Sequence, residues 1–414
     1  MECSLPPSCI VKRKVEVMRV LLVPSPPALG DKITSGVGRY LSELVRAMGN
    51  RVEYIFLDNF VGKAPANPEV PEIAGPQKVG RDLAFRLVGG YVRDALRLAR
   101  QISPYRKKVD LIHVNNVGCE THTIAAKLAG FRKVVTTVHN LPGEDRKARH
   151  GFRRLIERLS FACGDLHIVP SEMTFEAWQD RVGLPREKIA RICHGIVPAD
   201  IFGFNRDEWR QRFCRDSDQT ILIGVCARLH YMKGHTVLLE AFKKLLQERT
   251  GRCKVDSRKH QPLQDQQLML LIAGEGPERP NIEAKIRELG ISEHVRMLGH
   301  VDNAFGFQAS LDINVLPSFS ESMGFSVIEA MFAGVPSVVT DACGASELVT
   351  ASGGGQVVAR GDAHAIATGI GYYIKNPGIA RADGERARRF AEANLTSDRM
   401  AEATYEVYER VMAG

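Results

Sequence analysis

Two glutamates, Glu321 and Glu329, mark the part of this 414-residue sequence that is best suited to chemistry. Both lie in the run PSFSESMGFSVIEAMFAGVPSVVTDACGASELV, which extends from Pro317 to Val349. A helix between them would set the two carboxyl groups roughly two turns apart, at about 1.5 Å per residue. That separation is wide for two carboxyl groups that act on one glycosidic bond, because such pairs lie about 5–9.5 Å apart. The spacing favours two contacts along one extended ligand, although either glutamate alone could be a helix-terminal charge.

The residues around the two glutamates predict a strand, a loop and a helix. The strand ends at Leu316, and Ser322 or a near neighbour caps the helix. The helix ends near Phe332, because Gly334–Pro336 stop it. The first N–H groups of such a helix suit an electron-rich oxygen ligand, and Gly324 lets that ligand approach the backbone closely. The N–H groups concerned are those of Gly324, Phe325 and Ser326.

Two cations stand five residues apart in GVCARLHYMKGH. Arg228 and Lys233 lie in the loop after a predicted strand, and a helix begins near Gly234. Two cations beside a helix N-terminus would hold a diphosphate and stabilise charge that builds on it during a reaction. Basic loop residues can also simply be solvated, so this interpretation depends on the neighbouring motifs.

The first half of the chain opens with a glycine-rich helix start, SGVGRYLSELVRAM, from Ser35 to Met48. Gly36 and Gly38 allow close backbone approach, and Tyr40 begins the apolar stripe of the helix. The segment is not a dinucleotide fingerprint, because Leu41 stands where G-x-G-x-x-G needs its third glycine.

Two histidines end neighbouring predicted strands in the first half of the chain. His139 follows Val134–Val138, and His113 ends the strand before it. Both positions lie where an active-site loop begins, since ligands of open parallel sheets bind at the carboxyl ends of the strands. Either histidine could instead be a structural residue.

Ten short runs rich in Val, Ile and Leu are predicted strands, separated by amphipathic stretches such as Thr236–Leu246 and Ile282–Leu289. In the first half they are Arg19–Val23, Val52–Leu57, Leu111–Val114, Val134–Val138 and Leu166–Val169. In the second half they are Ile221–Cys226, Leu268–Ala273, Val295–Leu298, Ile313–Leu316 and Ser337–Val339. Near-continuous apolar strands indicate parallel sheets covered on both faces. We therefore predict an α/β fold with two Rossmann-like, doubly wound domains that face a cleft.

The predicted boundaries are a tail at residues 1–17, a first domain at 18–196, a second domain at 197–395 and a C-terminal helix at 396–414. The helix is predicted over Ser397–Met412, with Ser397 as its cap, and is expected to cross back to the first domain. Its predicted apolar contacts are Ala401, Tyr405, Val407 and Tyr408. The polar stretch Arg249–Gln267 is predicted to be a surface loop insertion.

Composition limits the class of protein. The chain is 44% hydrophobic and 25% charged, with no apolar run of the roughly 18 residues that a membrane-spanning helix needs. Its nine cysteines are scattered without a C-x-x-C pair, which favours free thiols over a zinc framework or a disulfide scaffold. Free thiols fit a reducing compartment, so a cytoplasmic location is predicted. The net charge of +8 favours anionic partners.

The run after Leu316 resembles the donor-site signature of the retaining glycosyltransferases of family 4, which have the GT-B fold. Glu321 and Glu329 fill the E-x7-E pattern of that signature. They are followed by Gly334, Pro336 and Glu347. The resemblance implies that Glu329 holds the ribose hydroxyls of a nucleotide sugar. It also implies that Glu321 and the backbone of Gly324–Ser326 hold the transferred sugar.

Other segments carry the same resemblance. Arg228 and Lys233 resemble the family's R-x4-K pair, and His139 its T-x-H-[DN] position, which contacts the donor sugar near the reacting carbon. His113 and Tyr40 would support it. The segment Ser35–Met48 resembles a G-G-x-x-x-Y opening that carries Ser35 in place of the first glycine. In HGIVP, His194 replaces the usual Asn, and Gly195 carries over as structural. The residues expected beside the nucleotide are Gly36, Gly38, Gly274, Gly276, Pro277, Leu298 and Gly299.

The resemblance implies retaining transfer of a hexose-type sugar from a UDP- or GDP-sugar to a hydroxyl of a glycan, glycolipid or small molecule, as in polysaccharide or glycolipid biosynthesis. No cofactor is expected, and no cluster of metal-ligating residues is visible, so metal-independent activity is predicted. A GT-B sugar phosphorylase, a nucleotide-sugar epimerase and a non-catalytic sugar-binding subunit stay open as alternatives. A nicotinamide dehydrogenase is the weakest alternative, because the sequence lacks the G-x-G-x-x-G dinucleotide fingerprint.

Basic residues outnumber acidic ones between positions 81 and 160. They recur at helical spacing as Arg93, Arg97 and Arg100, and as Lys147, Arg149, Arg153, Arg154 and Arg158. Such a face could simply be solvated. It could also dock peripherally on an anionic membrane surface, here the inner face of the membrane, or on a phosphate-bearing acceptor. Nucleic acid is not expected, because no aromatic-and-basic binding module is present.

Overall fold

The computed structural model describes residues 17–23, 36–56, 88–116, 121–142, 150–197, 205–214, 219–251 and 266–414. Several predictions from the sequence lie outside these ranges. They concern the tail apart from Val17, the departure at Ser35, the basic residues Lys147 and Arg149, and residues 252–265 of the predicted loop insertion.

The first domain contains a six-stranded parallel sheet with strand order β2-β1-β3-β4-β5-β6. Its strands are β1 (Met18–Val23), β2 (Val52–Phe56), β3 (Leu111–Asn116), β4 (Val134–Val138), β5 (Leu166–Val169) and β6 (Ile189–Arg191). Its helices are α1 (Gly36–Met48), α2 (Val88–Ile102), α3 (Thr121–Leu128), α4 (His150–Cys163) and α5 (Glu172–Val182).

The second domain repeats the plan, with strand order β12-β11-β10-β7-β8-β9 and parallel pairing throughout. Its strands are β7 (Thr220–Cys226), β8 (Gln267–Ala273), β9 (Val295–Gly299), β10 (Ile313–Leu316), β11 (Ser337–Thr340) and β12 (Gly355–Val358). The helices are α6 (Arg206–Phe213), α7 (His235–Gly251), α8 (Arg279–Leu289), α9 (Ala304–Ser310), α10 (Phe325–Phe332), α11 (Ala345–Ser352), α12 (Ala363–Lys375), α13 (Pro377–Asn394) and α14 (Ser397–Ala413).

The predicted fold class is confirmed, and the ten predicted strands appear within two residues of their expected bounds. Two strands were missed, β6 and β12, because each is a short edge strand that lacks a long apolar run. The predicted loop at Arg249–Gln267 is wrong at both ends. The helix α7 continues to Gly251, and β8 begins at Gln267.

Both sheets are buried on their two faces, which is why their strands are continuously apolar. In β1, Val20 and Leu22 join the cluster that contains α1, whereas Leu21 and Val23 join the cluster of α2 and α3. This alternation is the two-residue period of a strand. Among the described helices, none combines the length and apolar character needed to cross a bilayer.

The C-terminal helix α14 returns to the first domain, as predicted. Ala401, Val407 and Tyr408 are buried in the α1 cluster, and Tyr405 packs at its margin. The predicted cap is wrong: Thr396 is the N-cap, and its side chain accepts from the N–H of Arg399. Ser397 is instead buried, and its N–H donates to the carbonyl of Ile196 at 3.0 Å. The chain passes between the domains twice, once near Ile196 and once near Thr396, and the two segments lie side by side. The backbone of Ser397 is therefore hydrogen-bonded to the other segment.

A buried polar chain attaches α14 to the first sheet. The Tyr408 hydroxyl is hydrogen-bonded to Tyr54 at 3.2 Å and to His113 Nδ1 at 2.7 Å. His113 Nε2 meets Thr137 Oγ1 at 2.7 Å, and Thr137 Oγ1 also meets the Tyr40 hydroxyl at 3.2 Å. Because buried polar groups are costly without partners, this chain selects one position for α14 on the sheet.

Candidate active site

The predicted donor residues lie where the strands of the second sheet end. The loops after β7 and β8 touch through glycine: a Cβ at Gly274 would stand 2.0 Å from the Ala227 carbonyl oxygen. The N–H of Gly274 donates to the carbonyl of Gly299 at 2.7 Å, which joins the end of β8 to that of β9. The remaining residues expected beside the nucleotide occupy the same loops. They are Gly276 and Pro277 after β8, and Leu298 in β9.

The helix α10 begins at Phe325, with Gly324 as its N-cap in the left-handed region (φ 92°). No described group accepts a hydrogen bond from the N–H of Phe325 or Ser326, so both can take a ligand oxygen. Of the predicted alternatives, Ser322 is not the cap, and its near neighbour Gly324 occupies the N-cap position without a side-chain hydrogen bond. The Ser322 hydroxyl donates to the His139 carbonyl at 2.5 Å. Ser322 therefore contacts the first domain instead of its own helix.

Lys233 and Glu321 form an ion pair between Nζ and Oε2. The loop carrying Lys233 is held close because Gly234 has φ 67° and a Cβ there would stand 2.0 Å from the Pro317 carbonyl oxygen. The N–H of Phe319 also donates to the carbonyl of Met232 at 2.8 Å. The structure thus brings together the lysine expected at the phosphates and the carboxylate expected at the sugar.

Arg228 lies in the same loop but is exposed, and no acidic side chain among the described residues pairs with it. Of the two cations predicted to hold a diphosphate, Lys233 is therefore paired with a carboxylate of the protein, whereas Arg228 is not paired with one among the described residues. Arg228 keeps a hydrated positive charge at the mouth of the site.

Glu329 lies inside α10 and is only 2% exposed. Burial raises the pKa of its carboxyl group, and the Arg39 guanidinium, which donates to Oε1, opposes that rise. Arg39 belongs to α1 of the first domain, so this ion pair crosses the domain boundary. Sequence reasoning missed Arg39. The available signal was a cation between Gly38 and Tyr40, at the opening turns of a helix predicted to face the cleft.

The first domain contributes a cluster of rings at the same boundary. Tyr40 lies 4.8 Å from His139 and 5.1 Å from His194, measured between ring centroids. His194 stacks on Phe325 of the second domain at 4.8 Å and an interplanar angle of 15°. His194 was noted in the sequence only as a departure from Asn and was not predicted as a site residue. His113 lies deeper, in the polar chain described above.

The protonation of these rings follows from their burial. Desolvation lowers the pKa of His113 and of His194 to about 3, and holds that of His139 well below its usual value, so all three are neutral near pH 7. His139 Nε2 lies 3.0 Å from Asn115 Oδ1, an acceptor, so Nε2 carries the proton and Nδ1 is an acceptor. Within the described residues, Nδ1 of His139, Nδ2 of Asn115 and both ring nitrogens of His194 have no hydrogen-bond partner.

Glu347, which follows the E-x7-E pattern in the Pro317–Val349 run, also makes contacts between the two domains. Its carboxylate accepts from the N–H groups of Glu172 and Met173 at 3.0 and 2.8 Å, at the first turn of α5. Arg191 lies 3.7 Å from the same carboxylate. Its observed contacts therefore join the domains, with the negative charge at a helix N-terminus.

In the described ranges, no group of three or more His, Cys, Asp and Glu side chains is placed to hold a metal ion. The glycines predicted at the start of α1 lie beside the boundary contacts, since α1 begins at Gly36 and Gly38 adjoins Arg39.

Two facing Rossmann-like domains, with cations and carboxylates gathered between them, form the arrangement found in glycosyltransferases of the GT-B type. The family model described as Glycosyl transferases group 1 matches residues 205–394, and that described as Glycosyltransferase Family 4 matches residues 34–200. Together the two models cover most of the chain, which belongs to this family of glycosyltransferases.

Three known proteins illustrate the relationship. The chain is 26% identical over 316 residues to the N-acetyl-alpha-D-glucosaminyl L-malate synthase of Bacillus anthracis, covering 74% of this chain and 76% of that one. It is 29% identical over 191 residues to the lipopolysaccharide core biosynthesis mannosyltransferase LpcC of Rhizobium leguminosarum bv. viciae, covering 46% of this chain and 51% of that one. Anabaena HepE in complex with UDP-glucose shares the fold, with a TM-score of 0.69, 18% identity and coverage of 95% and 100%.

The buried histidines predict how stability depends on pH. Their folded pKa values lie below the unfolded value of about 6.5, so the unfolded chain binds more protons as the pH falls from about 6.5 toward 3. Each neutral histidine should therefore reduce the free energy of unfolding by up to about 1.4 kcal/mol per pH unit in that window. His113→Gln removes one titrating group and should give a shallower decline.

Urea denaturation at pH 7.5, 5.5 and 4.5 measures this slope for the wild type and for His113→Gln. Tyr54→Phe provides the control, because it removes a hydroxyl group from the same buried polar chain but no group that titrates in this pH window, and it should keep the wild-type slope. If the His113→Gln curve ran parallel to the wild type, His113 would not be a neutral group in the fold.

Proposed function

We propose that the protein transfers a hexose-type sugar from a UDP- or GDP-sugar to an acceptor hydroxyl, with retention of the anomeric configuration. The observation that carries the proposal is the meeting of Lys233 with Glu321 beside the free N–H groups at the start of α10. A cation, a carboxylate and a helix N-terminus at one point match the needs of a diphosphate joined to a polyhydroxylated sugar. The relative crystallised with UDP-glucose supports a nucleotide-sugar donor.

The proposed mechanism is front-face transfer. The acceptor oxygen forms a bond to the anomeric carbon as the bond from that carbon to the diphosphate oxygen breaks, on the same side of the sugar. The proton of the acceptor hydroxyl passes to the leaving phosphate oxygen. Arg228 and Lys233 stabilise the charge that builds on the diphosphate. In this proposal these two side chains and the N-terminus of α10 supply the positive charge, without a divalent metal.

The first domain is proposed to hold the acceptor and to close the reacting centre. Neutral His139, with Nδ1 as an acceptor, would take a hydrogen bond from a sugar hydroxyl near the anomeric carbon. Atoms that lack hydrogen-bond partners among the described residues also occur in Asn115 and His194, and both residues adjoin His139. Closure over the donor would exclude water and suppress hydrolysis.

A role in polysaccharide or glycolipid biosynthesis is supported by the Rhizobium relative, whose name assigns it to the lipopolysaccharide core. Such acceptors are often bound to a membrane, and the first domain offers a surface that suits one. The helices α2, α3 and α4 pack side by side. Their outward surface, here called the α2–α4 face, carries nearly half of the exposed large apolar side chains among the described residues: Val92, Leu96, Leu128, Leu155 and Leu159.

Arginines alternate with these apolar side chains on the α2–α4 face. Those that are exposed are Arg93, Arg97, Arg100, Arg154 and Arg158. On α2 they line a shallow concavity together with Val92 and Leu96. Apolar side chains that enter the headgroup region and arginines that pair with phosphate are the two contributions that hold an amphipathic helix on an anionic bilayer. We propose that this face docks on such a surface.

Nucleotide binding tests the donor site. Thermal unfolding is measured with UDP, GDP, ADP and NAD, and a ligand at about 100 times its dissociation constant should stabilise the fold by about 2.7 kcal/mol. One nucleotide diphosphate should raise the melting temperature, and Glu329→Gln should remove most of that rise. Glu288→Gln, an exposed change on α8, should leave it intact. Stabilisation by NAD alone, or by none of the four, would contradict the donor site.

Turnover tests the chemistry. With a donor that supports transfer, the coupling of the product's anomeric proton in NMR should match that of the donor, because both bonds lie on one face. Lys233→Ala should lower kcat about 10²–10³-fold, the usual effect of removing a group that stabilises developing charge. Lys285→Ala on α8 serves as the control. An inverted product, or near-normal turnover by Lys233→Ala, would contradict the mechanism.

Vesicle co-sedimentation tests the α2–α4 face. Vesicles with about 30% anionic lipid should bind the wild type at low salt, and neutral vesicles should not. Arg93→Glu with Arg97→Glu should weaken binding at least tenfold, since each basic residue near the surface contributes about 1 kcal/mol. Arg381→Glu with Arg389→Glu, on the exposed side of α13, is the matched control. Equal binding by both double variants would show that the face is merely solvated.

A further inference from the structure

The buried carboxylate of Glu329 is neutralised from the other domain. It lies in α10 with 2% of its surface exposed, and the charged side chain that faces it is Arg39 of α1. Cys226, at the end of β7, is the other titratable neighbour, and burial raises the pKa of its thiol to about 12, so it is neutral. The charge of Glu329 in its buried position therefore depends on a residue of the first domain.

Besides Glu329, two neighbours hold Arg39 in place. Its Nε lies 3.8 Å from Oε1 of Glu43, one helical turn along α1. Its guanidinium lies 5.7 Å from the centroid of the Phe325 ring, the first residue of α10. Glu43 in turn accepts a hydrogen bond from the N–H of Val197 at 3.1 Å. The side chain of Arg39 is thus connected to the segment where the chain passes from one domain to the other.

One oxygen of Glu329 stays available. Arg39 donates to Oε1, and no other hydrogen bond to the Glu329 carboxylate is found among the described residues. An ionised carboxylate with a free oxygen accepts hydrogen bonds from two adjacent hydroxyl groups, and hydrogen bonds to a charged acceptor are the stronger kind. A protonated carboxyl in the same place would lose much of that preference.

We propose that Arg39 is a positioning residue for the donor: from across the domain boundary it keeps Glu329 ionised and oriented toward the ribose hydroxyls. This inference rests on the proposed function, because it takes Glu329 as the ribose contact. Its consequence is that the domain expected to hold the acceptor also contributes to donor recognition. Ribose is then read fully only when the two domains are together.

The test compares ribose recognition in variants of the full-length protein. Calorimetric Kd values are measured for UDP and GDP and for their 2′,3′-dideoxy counterparts. The wild type should bind its ribonucleotide at least tenfold more tightly than the dideoxy form. Arg39→Gln should reduce that ratio to about one by weakening the ribonucleotide alone, and Arg39→Lys should restore part of it. Arg46→Gln, on the exposed side of the same helix, should keep the wild-type ratio.

A merely structural role for Arg39 would not change this ratio, since it would weaken both nucleotides equally. A wild-type ratio in Arg39→Gln would overturn the inference while leaving the proposed function intact. A wild type that binds neither nucleotide would contradict the proposed function itself. Should Arg39→Gln fail to fold, Arg39→Lys decides the matter: a wild-type ratio there would show that the guanidinium geometry is not used.

Discussion

Among the contacts that join the two domains, one carboxylate of the second domain closes a helix of the first. Glu347 accepts from the first N–H groups of α5, where the positive end of the helix dipole makes a negative charge favourable. Glu347 lies in α11, and the loop just before this helix contacts the candidate donor site. The N–H of Gly344 in that loop donates to the Glu321 carbonyl at 2.8 Å. The segment from Gly344 to Glu347 therefore holds Glu321 within the second domain and also joins the second domain to α5 of the first.

The charges of the site are arranged around that contact so that most are neutralised before any ligand arrives. Lys233 pairs with Glu321, and Arg39 pairs with the buried Glu329. Removing one partner of a buried pair would leave an uncompensated charge, which is far more costly than the pair itself. In the proposed function, a diphosphate competes with Glu321 for Lys233, whereas the exposed Arg228 would meet it directly. Donor binding would thus exchange one ion pair for another instead of creating a charge in an apolar place.

Much of the architecture could be predicted because it depends on local patterns. Buried parallel strands are continuous apolar runs, and the donor loop carries a long motif whose residues are adjacent in sequence. The two missed strands are short and lack a long apolar run, whereas the missed features of the site depend on tertiary contacts. Ser322 precedes a helix like a cap, yet its hydroxyl donates to the carbonyl of His139 in the other domain. Ser397 likewise follows the capping pattern, but the crossing at Ile196 takes its N–H.

Arg39 and His194 were missed for a related reason. Each is an ordinary residue type in its own segment, and its role is visible only when α10 of the second domain is placed against it, at Glu329 for one and at Phe325 for the other. No spacing within one domain encodes a contact with the other. Such contacts must be sought where the ends of both sheets face each other.

The boundary also contains polar atoms whose partners are missing, and their location is informative. A buried polar group without a partner costs about 1–3 kcal/mol, and Asn115, His139 and His194 each contain at least one such atom. The residues that contain these atoms are held in place by their neighbours. Gly195 packs against the Thr396 carbonyl, and Tyr40, which contacts the rings of His139 and His194, is hydrogen-bonded to Thr137. A fold that holds donors and acceptors rigidly without partners is preorganised for a ligand that supplies them. Because the histidines are neutral, they suit uncharged hydroxyls. In the proposed function, the cations of the second domain meet the diphosphate of the donor, and the neutral histidines of the first domain meet hydroxyl groups of the sugar.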